Sequence, residues 1–127
     1  MARVTETRDH KVFAAERQGT ALIVLPQGDA IGFRESDLQK ELDTLLRLLK
    51  DPELDLVVDL SRSNYFGTVI LGAINELGLR VRARGGRTAL CCVSEAMREI
   101  LGVMHLDELW ASYETRKEAL RALRKPR

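Results

Sequence analysis

Residues Leu54 to Leu60 read LDLVVDL, and the centre of that run, Leu56, Val57 and Val58, is apolar without interruption. Successive side chains of a strand point to opposite faces, so a strand of this kind needs a covering layer on each side of its sheet. It belongs at the middle of a sheet flanked by helices, and a helical bundle or a sheet wetted on one face does not accommodate it.

Candidates for the covering layers lie on either side of that strand. Leu38, Leu42, Leu45 and Leu49 recur at i, i+4, i+7 and i+11, which marks one face of a helix that Ser36 and Gln39 would open as a capping box and Asp51-Pro52 would end. Ile70, Ile74, Leu77 and Val81 repeat the same spacing in a second helix, which starts near Thr68 and closes before Gly85-Gly86. Upstream, Val12 to Ala15 run through Glu16 and Arg17 to a tight turn at Gln18-Gly19, and Thr20 to Leu25 return as a second strand up to Pro26. Arg87 to Val93 and Leu109 to Tyr113 read as further strands. Ser94 caps a short helix carrying Met97, Ile100, Leu101 and Met104, loosened at Gly102. Thr115 with Glu118 makes another capping box, opening a terminal helix with Ala119, Leu120 and Leu123 inward. The order ββαβαβαβα predicts an α/β fold, a mixed sheet of about five strands with about four helices packed on it. The 127 residues suit one domain over 11–123, preceded by a flexible segment at 1–10 and followed by a basic tail at 124–127.

Twenty Lys plus Arg against nineteen Asp plus Glu leave a net charge of +1, so no general field draws nucleic acid or anionic lipid, and neither is expected as a partner. No apolar run reaches the length of a membrane span, and Met1 to His10 lack the pattern of a secretory leader, which predicts a cytoplasmic protein that does not enter the membrane. Cys91 and Cys92 are adjacent in an apolar run. On a strand they would point to opposite faces as two buried thiols without a mutual disulfide. Two cysteines cannot make a four-thiolate site, and His10 and His105 lack a ligand spacing, so neither metal nor cofactor is expected.

The polar and aromatic loop from Ser61 to Gly67 feeds the second helix. Thr68 would stand at or beside its N-cap, where a hydroxyl can satisfy a free backbone N–H. The same place tolerates a phosphate dianion, because free N–H groups and the positive end of the helix dipole face it. Both readings stand on the residues alone. Ser61 and Ser63 are alternative acceptors or solvated loop residues, Asp59 ends its strand or bonds into the loop, and Gly67 permits the turn into the helix. Thr68, Gly72, Asn75, Leu79 and Arg82 share a stripe whose small members would admit a partner, or which is an ordinary exposed flank. Arg80, Arg82, Arg84 and Arg87 read as solvated surface favourable to the helix C-terminus.

The segment Asp59 to Gly72, DLSRSNYFGTVILG, resembles the strand, loop and helix start of STAS domains, the modules shared by anti-sigma factor antagonists and sulphate transporters. Gly85 to Ser94 and Leu101 to Trp110 resemble that family's glycine-led strand, serine-started helix and approach to the last strand, and the likeness runs from about Val12 to Leu123. In the antagonists the helix opens on Asp-Ser-Ser-Gly, and the anti-sigma factor phosphorylates the first serine. Thr68 takes that serine's place here, while Gly67, Val69 and Ile70 replace the aspartate, second serine and glycine. Threonine acceptors occur in related stressosome proteins.

The resemblance implies a regulatory binding module that is not an enzyme. Its phosphoacceptor would be Thr68, and its partner surface would comprise Asp29, Ser61, Ser63, Asn64, Tyr65, Phe66, Gly67, Val69, Gly72 and Asn75. The implied partner is an anti-sigma factor acting as serine/threonine kinase, and a homodimer is compatible with the pattern. An alternative is a constitutive scaffold that is never phosphorylated, for which the replacements at Gly67 and Val69 speak. A thiol enzyme using Cys91 or Cys92 ranks behind both, because no base lies close to either in sequence.

Overall fold

Leu56, Val57 and Val58 are all fully buried at the middle of a five-stranded sheet. The computed structural model describes residues 12–27, 35–62, 68–106 and 110–124, with the side chains of residues 35, 68 and 69 left aside. Its elements are β1 (Phe13–Gln18), β2 (Ala21–Pro26), α1 (Glu35–Leu48), β3 (Asp55–Asp59), α2 (Thr68–Ala83), β4 (Thr88–Cys91), α3 (Glu95–Val103), β5 (Ala111–Tyr113) and α4 (Arg116–Arg124). Spatial order follows chain order, β1-β2-β3-β4-β5, with β1 antiparallel to β2 and the other three pairings parallel. This is the mixed sheet with four helices that the alternation of periods predicts.

Strand alternation divides the interior in two. Leu22 and Val24 of β2, Leu56 and Val58 of β3 and Leu90 of β4 join the larger core with α1, α2 and α3. Ile23 and Leu25, Val57, and Ala89 and Cys91 point the other way, into a smaller core closed by Ala119 and Leu123 of α4. Leu38, Leu42, Leu45 and Leu49 are buried as their spacing requires, and so are Ile70, Ile74, Leu77 and Val81.

Several boundaries differ from the sequence reading. Gln18 pairs with Ala21, so the hairpin turns on Gly19 and Thr20 instead of Gln18-Gly19. Gly19 has φ +59, and glycine serves the first turn position where a side chain would be strained. Ser36 does not cap α1, which already begins at Glu35; the side-chain amide of Gln39 donates forward to Asp43 Oδ1 at 2.9 Å instead of back to a cap. Ser94 does cap α3, accepting from the Met97 N–H, and Thr115 Oγ1 accepts from Glu118 N–H. Met104, assigned to the short helix, lies just past its end and is exposed, and His105 after it takes φ +60. Strand β4 stops at Cys91 because Cys92 has φ +61.

Long polar side chains bind the elements together. The Glu41 carboxylate of α1, itself buried, accepts from the N–H groups of Val12 and Phe13 at 2.9 Å each and so fixes the start of β1. Arg84, at the end of α2, donates to the carbonyls of Leu49, Pro52 and Leu54 in the connection from α1 to β3. Arg87 bonds the Asp55 carboxylate and the Leu123 carbonyl. Arg84 and Arg87 are therefore internal ties instead of the solvated surface expected of them.

Candidate functional site

Parallel strands deliver their exits to one rim of the sheet, and in open α/β sheets ligands and partners are met there. Strand β3 leaves at Asp59, turns through Ser61 and Arg62, and the chain re-enters described structure as the first residue of α2, Thr68. The helix start thus falls where the apolar repeat puts it. No acidic residue occupies the first turn of α2, so its free N–H groups and positive dipole end meet no carboxylate from the helix itself. Ser63, Asn64, Tyr65, Phe66 and Gly67 lie outside the described residues, as does Asp29, and so do the side chains of Thr68 and Val69.

The root of the loop is firmly held. Asp59 is buried, and its Oδ1 accepts from the Ser61 N–H at 2.9 Å while its Oδ2 accepts from Arg116 Nε at 2.8 Å. Burial by itself would push the Asp59 carboxyl up, but the hydrogen bonds from Ser61 and Arg116 and the guanidinium charge outweigh it and hold the group below its ordinary value. Arg116 bonds Glu16 of β1 at the same time, so one guanidinium at the start of α4 joins β1 to β3. Arg62 Nη1 reaches Gln27 Oε1 at 3.5 Å, which sets the exits of β2 and β3 side by side. Ser61 and Arg62 are exposed.

Along α2 three members of the expected stripe face outward and one does not. Gly72 and Arg82 are exposed, and Leu79, at 50% exposure, is one of the large apolar residues left open among those described. A Cβ added at Gly72 would meet nothing within 4 Å, so the surface there is open to a close approach. Asn75 is half-buried, and its Oδ1 is enclosed with no hydrogen-bond partner among the described residues. One turn away, Gly78 is committed to the interior: a Cβ there would lie 2.3 Å from Cζ2 of the buried Trp110.

Sequence reasoning missed two features of this rim. The Glu16–Arg116–Asp59 network carries no local signal, since its partners are 57 and 100 residues apart. The two thiols, expected on opposite faces, both pack into the smaller core: the left-handed backbone at Cys92 turns its side chain to the side of Cys91. Burial, and then the Asp59 charge, pushes both thiols up from their ordinary value, so neither is a ready nucleophile. Among the described residues no helix is long and apolar enough to cross a membrane.

The fold has counterparts among solved structures. An anti-sigma-factor antagonist (STAS) domain protein from Planctomyces limnophilus is similar at 25% identity and a TM-score of 0.75, over 89% of this chain and 98% of that one. An anti-sigma factor antagonist from Mycobacterium paratuberculosis shares the fold at 20% identity and a TM-score of 0.70, over 89% of this chain and 93% of its own. The Bacillus cell fate determinant SpoIIAA, solved in its phosphorylated form, shares it at 15% identity and a TM-score of 0.67, over 87% and 97% of the two chains. The STAS domain model itself matches residues 12–119, from the start of β1 into α4 and across the whole rim, and the chain belongs to the STAS domain family.

Proposed function

We propose that this protein is a cytoplasmic anti-sigma factor antagonist whose grip on its partner is switched by phosphorylation of Thr68. The observation that carries the reading is positional: a hydroxyl residue opens α2 directly after the loop leaving β3, and the outward stripe through Gly72 and Leu79 continues from it. A phosphate added there brings about −1.5 to −2 charges to the end of a helix that has no acidic residue in its first turn, so the fold tolerates it. The same charge faces any partner seated on the stripe and leaves an acidic or apolar surface repelled or unpaired. The partner is an anti-sigma factor with serine/threonine kinase activity, which supplies nucleotide and Mg²⁺, so this chain is ligand and substrate and not catalyst. That related proteins carry the antagonist name, and that one is known phosphorylated, supports this reading.

Incubation with the cognate kinase and Mg-ATP, followed by intact mass and site mapping, tests it directly. The expected result is a single phosphate on Thr68, with Thr68→Asp binding the unmodified partner at least about 10-fold more weakly, a difference of roughly 1.4 kcal/mol. Thr68→Ala is expected to bind and to resist release. Unchanged mass with retained binding would instead support a constitutive scaffold using the same stripe, the reading that Gly67 and Val69 favour.

A further inference from the structure

The register of β3 against β4 places Asp59 opposite Cys91 on the α4 face of the sheet, and the left-handed backbone of Cys92 brings a second thiol to them. One carboxylate oxygen and both Sγ atoms lie within 4.8 Å of one another. Left-handed backbone at a residue with a Cβ is uncommon and tends to mark functional positions. Here it undoes the alternation that would have separated neighbouring cysteines.

We propose that Cys91, Cys92 and Asp59 form a binding site for a thiophilic divalent cation of the zinc group. A tetrahedral ion with bonds of about 2.3 Å to sulfur sets its two sulfurs roughly 3.8 Å apart, which the cluster accommodates. Two thiolates and one carboxylate select zinc or cadmium over magnesium or calcium, which take oxygen ligands. On binding, each thiol S–H bond breaks, its proton passes to solvent, and the sulfur lone pair goes to the ion. Three anionic ligands then face a double positive charge. Asp59 Oδ1 accepts from the Ser61 N–H and Oδ2 from Arg116 Nε, and the carboxylate also bonds the Ser61 side chain and the Cys92 thiol; loss of that thiol's proton on binding releases the carboxylate lone pair it occupied to the ion. Glu16 shares the charge of Arg116, which lowers the repulsion between guanidinium and cation. Cys91 is enclosed while Cys92 is half-exposed, so an ion enters from the Cys92 side and retains a water as fourth ligand.

Titration of the reduced full-length protein with Cd²⁺, followed by the ultraviolet sulfur-to-cadmium charge-transfer band, tests the site. Saturation at one equivalent and displacement by Zn²⁺ are expected. Cys92→Ser, a near-isosteric change at a half-exposed position, is expected to weaken binding more than about 100-fold, since changes outside the ligand shell alone cost about 10- to 100-fold. Asp59→Asn is expected to weaken it while the band keeps its intensity at saturation. Circular dichroism reports whether each variant is folded. Absence of the band in the native protein, equal affinity in Cys92→Ser, or equal affinity of native and urea-unfolded chains would overturn the proposal, the last because the adjacent thiols alone would then suffice.

Discussion

Asp59 shows how much one buried side chain can hold when its oxygens are both satisfied. Its carboxyl is held below the ordinary 3.8, so the unfolded chain takes up its proton at a higher pH than the folded one does. The stabilisation is therefore complete above the ordinary carboxylate range and is lost as pH falls through the depressed folded value. Urea melts from pH 7 down to pH 2 are expected to lose part of their acid-limb slope in Asp59→Asn. Arg116→Ala is expected to destabilise by about 2 to 3 kcal/mol, less than the roughly 3 to 5 of a fully dry pair, because the guanidinium keeps 27% of its surface in water. The bond from Asp59 into the loop was one of the two readings its position offered, but the ion pairs beyond it were not legible. Glu16 and Arg116 each read as an ordinary polar residue of its own segment, and only the meeting of β1, β3 and α4 makes them partners. Arg84 and Arg87 read as solvated surface, and Glu41 as nothing in particular, for the same reason: their partners lie about 30 residues away along the chain, where no local pattern records them.

Among the elements, α2 was the most readable, because its apolar repeat, its entry at Thr68 and its closing glycines agree. What the repeat could not tell is which glycine faces a neighbour. Gly72→Ala, with open space around the new Cβ, is expected to stabilise the protein by up to about 1 kcal/mol through helix propensity. Gly78→Ala drives a methyl into the buried Trp110 ring and is expected to cost about 1 to 3 kcal/mol. Denaturant midpoints for the pair measure both, and similar shifts in the two would mean that α2 and Trp110 are not packed as described. The cap at Ser36 was misread because Ser-x-x-Gln fits a capping box whether the helix begins before or after the serine. Cys92 was misread because an apolar strand run gives no sign of a left-handed residue.

At the level of the molecule, the parallel strands separate two rims with different duties. The carboxyl rim carries Thr68, the Asp59 network and the two thiols. The opposite rim is stitched by Arg84 to the carbonyls before β3 and by Arg87 to Asp55 and to the end of α4. The overall architecture was legible because a strand apolar on both faces admits few arrangements, whereas the allocation of polar residues between the rims was not, since charge at a strand end looks alike at either end. The Gly19-Thr20 turn belongs to the stitched rim, with Thr20 carbonyl accepting from Asp55 N–H at 2.8 Å, while Asp59 lies four residues further along β3, roughly 13 Å away. That turn is therefore a natural handle. A biotin or dye attached through the exposed Thr20 side chain position should immobilise the protein on a sensor chip with the other end facing the flow, and binding measured that way is expected to match binding in free solution.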